Sequence, residues 1–264
     1  MAKRTLAGKV AWITGGGTGI GAGGAAALAA AGATVVLSGR RIQPIEAIVD
    51  LLTGQGFTAE AIQLDVADAE AVAAAAKGIE ARHGRLDILV NSAGINTAER
   101  RFANMTPAAF KQVVDVNLNG TYNCIQVALP LLRAAGDGLV VNISSWAGNH
   151  INYLTGPAYT ASKFGVGGMT EILNIEEFQN GVRATVVYPA EVATPILDSR
   201  PIPVPDAEKA RMAQPEDLGA VILFLAELPG RVCINEITVS PTHNRIFLGG
   251  PGIVAPRKGS NDAW

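Results

Sequence analysis

Tyr159 and Lys163 stand four residues apart in the stretch AYTASKFGV (158–166), with only the small residues Thr160, Ala161 and Ser162 between them. On a helix, positions i and i+4 share a face, so the lysine ammonium lies beneath the phenol. A free tyrosine ionises near pH ~10 and exchanges protons poorly at neutrality. A neighbouring positive charge favours the phenolate and draws its pKa toward working pH, where general acid–base catalysis is most effective. An ordinary amphipathic helix can contain the same pair. Its chemistry therefore depends on what the rest of the chain brings to it.

Near the N-terminus, KVAWIT (9–14) is a short apolar run of the kind that makes a buried parallel strand, and it stops at glycines. Thr14-Gly15-Gly16-Gly17-Thr18-Gly19-Ile20-Gly21 follows, and then an alanine-rich stretch to Ala31 that suits a helix. Strand, glycine turn and helix together predict a dinucleotide site. Gly15 gives the tight turn, Gly19 the close approach to a pyrophosphate and Gly21 the helix–strand packing, with the helix N-terminus facing the phosphates. The second strand, Ala33–Ser38, runs into Gly39, Arg40 and Arg41. A site selective for NAD usually carries an acid at Gly39. Two arginines in its place fit the 2′-phosphate of NADP, or else they are solvated charges opening the next helix.

Further strands are expected at Phe57–Leu64, Leu86–Val90, Gly138–Ile143, Val182–Tyr188 and Glu236–Ser240. The third ends at Asp65-Val66, where Asp65 either bonds an adenine or caps a helix over Ala67–His83. The fourth ends at Asn91-Ser92-Ala93-Gly94: Ala93 and Gly94 let a ligand lie on the backbone, and Asn91 ties neighbouring strands. Thr106–Ala135 reads as one helix with Pro107 at its start, and Asn117 is unfavourable in its interior. Pro195–Asp206 holds four prolines and reads as a mobile loop over a site. Pro215–Leu228 reads as the last helix and Gly249–Trp264 as a loose tail. Strands alternating with helices, with no repeat and no linker, predict one doubly wound parallel sheet.

The chain has 264 residues, 48% of them hydrophobic and 17% charged, and a formal net charge of −2. That suits one α/β domain and gives no general attraction to nucleic acid or an anionic membrane. Cys124 and Cys233 are the only cysteines and read as two buried thiols; His83, His150 and His243 show no metal spacing. With no leader pattern and no spanning apolar stretch, the expected location is cytoplasmic.

In motif and order the chain resembles the short-chain dehydrogenases/reductases from Gly8 to about Ser240. The resemblance rests on TGGGTGIG (14–21), NSAG (91–94), NLNG (117–120), NISS (142–145), YTASK (159–163) and PAEVAT (189–194). It implies a single Rossmann-type domain over 1–248, with about seven strands, helices on both faces and a substrate loop near 190–212. It also implies an active site of Asn117, Ser145, Tyr159 and Lys163. Tyr159 would pass a proton to or from the substrate oxygen, Ser145 would orient that oxygen, Lys163 would lower the phenol's pKa and bond the nicotinamide ribose, and Asn117 would hold a relay water.

The cofactor set it implies is Gly15, Thr18, Gly19, Ile20, Gly21, Arg40, Arg41, Asp65, Val66, Asn91, Ala93, Gly94, Tyr159, Lys163, Pro189, Val192 and Thr194. The implied activity interconverts a secondary alcohol and a ketone with NADP(H). The alternatives are the same chemistry with NAD(H), or a non-catalytic dinucleotide sensor or scaffold. The implied assembly is a homo-oligomer, tetramer or dimer, built on the helices at 106–135 and 157–180. Four departures stand out: Ser92 for a second Asn, Ala190 after the proline, one extra residue between Ser145 and Tyr159, and no Gly-rich C-terminal motif. Ile234–Ile237 with Ser240-Pro241-Thr242 is instead similar to the NADP-linked hydroxy-acid and serine dehydrogenase branch, a likeness from which no substrate follows. Trp146, His150, Tyr153 and Leu154 either line an amphiphilic pocket or pack the loop.

Overall fold

VAWIT in β1 (Val10–Thr14) and GLVVNI in β5 (Gly138–Ile143) are buried along their whole length, as strands covered on both faces must be. A computed structural model describes residues 5–249 and places these strands in a seven-stranded sheet. The others are β2 (Thr34–Gly39), β3 (Ala59–Gln63), β4 (Ile88–Asn91), β6 (Val182–Pro189) and β7 (Glu236–Val239). The order is β3-β2-β1-β4-β5-β6-β7, and every pairing is parallel. The order reverses between β1 and β4, the switch point at whose carboxyl edge ligands settle in open α/β sheets.

The helices are α1 (Gly19–Ala30), α2 (Ile42–Gly54), α3 (Ala69–His83), α4 (Pro107–Val114), α5 (Gly120–Ala134), α6 (Pro157–Glu177), α7 (Asp206–Lys209), α8 (Pro215–Glu227) and α9 (Arg245–Leu248). One face of the sheet buries Ile13, Val35 and Leu37 against Leu28 of α1 and Leu218 and Ile222 of α8. The other buries Trp12, Val36 and Leu89 against Ile79 of α3 and Ile125 and Leu132 of α5.

Several expectations change. The helix expected over Thr106–Ala135 is two α-helices joined by a wide π-turn, Asp115–Asn119, with Asn117 at its centre. The cap before α3 is Asp68, whose carboxylate accepts from the N–H groups of Glu70 and Ala71 at 3.0 Å each; Asp65 accepts only from Ala67 N. Cys233 is exposed, unlike buried Cys124. The stretch expected to be a loop at Pro195–Asp206 carries a 3-10 turn (Pro195–Ser199) and leads into α7, because Leu197, Val204 and Met212 bury one another in a small core of their own. Pro215–Glu227 is followed by one more short helix, α9. The tail expected at 249–264 lies, beyond Gly249, outside the described residues. Among those residues no helix is long and apolar enough to cross a membrane.

Candidate active site

The carboxyl ends of β1, β4, β5 and β6 open onto one cleft of about 410 Å³. Gly15, Thr18, Gly19 and Ile20 form its floor at β1, and Arg40 and Arg41 stand where β2 ends. Gly94 follows β4, Ser145 follows β5, Pro189 ends β6, and Val192 and Thr194 follow it. Tyr159 and Lys163 of α6 close the far wall. A smaller recess continues past Arg40 to Asp65, Val66 and Ala93.

Glycine is required at the floor. Gly15 has φ +64°, and a Cβ there would come within 2.8 Å of the backbone of Ser92 and Ala93. Thr14 ties the same corner together, its hydroxyl accepting from the N–H groups of Ser92 and Ala93 at 3.2 Å each. Gly21 lies under this turn and away from the cleft, packing α1 onto Gly15. Thr18 precedes α1 without its side chain capping it, so the first-turn N–H groups are left to a ligand in the cleft. Ser38 is withdrawn from the cleft by the Trp12 indole, which donates to it at 2.9 Å. Arg40 and Arg41 are exposed, and no carboxylate pairs with either among the described residues. Free helix N–H groups at the centre, unpaired guanidiniums at one end and a phenol and an amine at the other are a donor set that fits an anionic dinucleotide.

The polar groups of the far wall are fixed from behind. Asn91 does not line the cleft: its amide donates to Asn142 Oδ1 (2.9 Å), and Asn142 donates to Thr170 (2.9 Å), linking β4, β5 and α6. Asn117 is fully buried and clasps the backbone of Ile95, accepting from its N–H at 2.8 Å and donating to its carbonyl at 3.0 Å. It also donates to Ser162 Oγ (3.2 Å), and Ser162 donates to the Tyr159 carbonyl (2.8 Å). The π-turn turns this asparagine inward, so a residue costly in a regular helix becomes a strut.

Lys163 is 4% exposed and donates to the Ile143 carbonyl at 2.8 Å, and burial pushes its pKa down to about 8. Its Nζ lies 5.6 Å from the centre of the Tyr159 ring. The phenol's pKa is raised and not lowered as expected: burial pushes it up, and neighbouring Ser145 and the charges of Arg200 and Arg100 offset this only in part. The electrostatic pull that the sequence assigns to Lys163 thus comes here from two arginines that the sequence reading passed over. Both line the cleft beside Tyr159, with Leu154 and Ser199. A doublet such as Arg100-Arg101 in a loop ordinarily reads as solvated charge, and only its place just after β4 hinted otherwise. Of the aromatic loop, Leu154 reaches the cleft. Trp146 stacks on His150 at 4.4 Å and meets Phe247 edge-on at 5.8 Å, and Tyr153 lies under the Arg101 guanidinium at 3.7 Å.

Known proteins share this architecture. A family model described as short chain dehydrogenase matches residues 9–202. Glycine betaine reductase ATRR of Emericella nidulans is 35% identical over 244 residues, which is 90% of this chain but 19% of that protein, so the chain spans about a fifth of that relative. The 2-dehydro-3-deoxy-L-rhamnonate dehydrogenase (NAD(+)) of a Sphingomonas species is 36% identical over 228 residues, 83% of this chain and 88% of the relative. A crystal structure of a metagenomic short-chain oxidoreductase in complex with NADP superposes with a TM-score of 0.78 at 34% identity, covering 90% of this chain and 99% of that one. The ordered cleft, the parallel switch-point sheet and these likenesses lead to one conclusion: the chain belongs to the short-chain dehydrogenase family and is an NAD(P)-dependent oxidoreductase acting on CH–OH groups.

Proposed function

We propose that this chain interconverts a secondary alcohol and a ketone using NADP(H), with Tyr159 carrying the proton. The observation that carries the reading is the Tyr159 phenol, which lines the same cleft as Ser145, Lys163 and the glycine turn. The nicotinamide supplies or accepts the hydride. In the reducing direction Tyr159 gives its proton to the carbonyl oxygen while Ser145 donates a hydrogen bond to it, and in the oxidising direction the phenolate takes the alcohol proton. Lys163, with a pKa of about 8, exchanges its own proton at modest cost near neutrality and serves as the reservoir behind the phenol. Asn117 acts as a positioning residue through Ile95 and Ser162.

The preference for NADP(H) is supported by the unpaired Arg40 and Arg41 and by the absence of an acid at Gly39. The NADP complex of the metagenomic relative agrees, while the Sphingomonas relative, named for NAD(+), marks the alternative. Phe110, Tyr122, Phe164, Ile172, Ile175 and Phe178 are exposed on and just after α4–α6, which supports a homo-oligomer assembled on those helices.

A thermal melt with NADPH, NADH or neither tests the cofactor, because a ligand that binds only the folded state raises apparent stability in proportion to its affinity. The larger shift is expected with NADPH. Tyr159→Phe is expected to keep that shift and to lose roughly 100-fold or more in turnover across a panel of secondary alcohols. Normal turnover by this variant would remove Tyr159 from the chemistry.

A further inference from the structure

We infer that the substrate taken by this site carries a carboxylate, which the guanidinium of Arg100 receives while the reacting carbon sits at Tyr159. The inference deepens the oxidoreductase reading and rests on it.

Arg100 is only 3% exposed, yet it lines the cleft together with Tyr159 and Ser145. Its guanidinium is held by neutral groups. Nε donates to the Thr97 carbonyl at 2.7 Å, and one Nη donates to the carbonyl and, at 3.3 Å, to the hydroxyl of Ser199. No carboxylate lies within ion-pair distance of it among the described residues. The other inward-facing arginines all have one: Arg183 pairs with Asp137, and Arg200 and Arg245 share Glu191. A buried charge without a counter-charge is costly unless something arrives to neutralise it. The surroundings deepen the deficit. Burial, and then Arg200 and Arg101, push the Arg100 pKa down to about 10 against a smaller opposing pull from Tyr159, so an incoming anion would relieve this cation.

The Arg100 backbone is also tied to the turn that leads into Tyr159. Gly156 has φ +77°, and a Cβ there would come within 2.1 Å of the Arg100 carbonyl. Only glycine admits that contact, and it presses the Arg100 backbone against the turn three residues before Tyr159. Leu154, Ile196 and Leu197 line the same cleft and offer apolar contacts to a short carbon chain. Arginine presents a planar fork to a carboxylate, which fixes orientation as well as charge. The substrate class is therefore a short hydroxy acid or its keto acid. The carboxylate is a spectator. In oxidation the carbinol C–H breaks, its hydride reduces the oxidised nicotinamide dinucleotide, and the O–H proton goes to Tyr159.

The test uses three- to six-carbon hydroxy acids, each paired with its primary amide, and scores the ratio of kcat/KM within each pair. A second arm measures the melt of the NADPH-loaded protein with butyrate or butyramide. The wild type is expected to favour acid over amide by at least about tenfold, the gain of one charged hydrogen-bonded contact. Arg100→Gln should bring the ratio near one and abolish the butyrate shift, while Arg100→Lys, which keeps the charge without the fork, should fall between them. The NADPH-induced shift confirms that each variant is folded. Equal use of acid and amide, or a ratio that survives Arg100→Gln, overturns the inference and leaves the oxidoreductase reading intact. If no panel member turns over, the butyrate arm decides, and a shift no larger than that with butyramide overturns it as well. Loss of the cofactor shift in the wild type, or normal turnover by Tyr159→Phe, instead sinks the parent reading.

Discussion

Glu191 and Arg200 meet at 2.7 Å across the entrance to the cleft, and Arg245 grips the same carboxylate from α9 at 2.9 Å. One acid thus fastens the end of β6 to the turn at 195–199 and to the short C-terminal helix, and it is itself 3% exposed. Burial pushes the Glu191 pKa up, but the bonds from Arg245 and Arg200 more than offset it, and the folded-state pKa lies below the ordinary value of 4.5. The sign follows. A carboxyl whose pKa is depressed by folding adds stability above its unfolded pKa and loses it as pH falls through the folded one. Glu191→Gln keeps the shape and removes the charge, leaving half-buried Arg200 without its carboxylate and Arg245 with only Glu208, at 3.9 Å. It should destabilise the protein by about 3 kcal/mol at pH 7, and the gap from wild type should narrow as pH drops below 4.5. Urea denaturation at pH 7 and pH 4 measures both, and a gap that does not change with pH would show that the charge contributes nothing.

Gly156 offers a sharper structural test because two costs coincide there. Alanine would have to adopt φ +77° and place its methyl group 2.1 Å from the Arg100 carbonyl. The left-handed backbone alone costs roughly 1–2 kcal/mol, and the overlap forces the Arg100 loop to move. Gly156→Ala should therefore cost about 2 kcal/mol or more and lower turnover along with stability. Gly54 at the end of α2 has open space around its Cα and no such φ, so Gly54→Ala should be neutral or stabilising by about 0.5 kcal/mol. If both variants melt like wild type, the turn before α6 is not holding Arg100.

The strand–glycine–helix start was legible because its parts are local: an apolar run, a glycine turn and an alanine helix need no distant partner to be recognised. The strand sequence and the alternation with helices followed from the same short-range pattern, and the family motifs then fixed their order. Arg100, Arg200 and Glu191 were not legible as a group. Arg100 lies in the connection after β4 and Glu191 and Arg200 in the one after β6, and each alone resembles surface charge. What unites them is burial, which depends on Gly156 and on the small core of Leu197, Val204 and Met212. Asn117 was flagged by its poor helix propensity, but the π-turn that uses it was not visible, because no residue pattern separates an extra backbone residue from a regular turn. Asn91 was read both as a tie between strands and as part of the cofactor set; its side chain serves the first role, in a buried seam to Asn142, and not the second.

Arg40 and Arg41 border both the main cleft and its recess, with no carboxylate partner among the described residues, and they should separate the two dinucleotides. A guanidinium–phosphate hydrogen bond contributes about 1.5–3 kcal/mol. Arg40→Ser should therefore weaken NADPH binding by roughly 10- to 100-fold and leave NADH nearly unchanged, with Arg41→Ser adding to the loss. Fluorescence titration of each nucleotide gives the ratio. Equal loss for both nucleotides would assign the arginine to the shared pyrophosphate and not to a 2′-phosphate.

Lys163 makes the stability of the free enzyme rise with alkaline pH. Its amine carries a folded-state pKa of about 8 against 10.5 for an unperturbed lysine, with burial as the cause. Below pH 8 both the folded and unfolded states hold the proton, and the desolvation cost is fully present. Between pH 8 and 10.5 the unfolded chain binds more protons than the folded one, so unfolding becomes harder as pH rises. The full excursion corresponds to about 3 kcal/mol. Lys163→Met removes the titration and nearly preserves the volume. It should be as stable as wild type or more so at pH 7.5, and it should lose ground to wild type as the pH is raised toward 10. Taking the difference between the two proteins cancels the other groups that titrate in this range. A difference that stays flat from pH 7.5 to 10 would mean that the amine is solvated well enough to keep its ordinary pKa, and Lys163 would then be a poor proton reservoir for Tyr159.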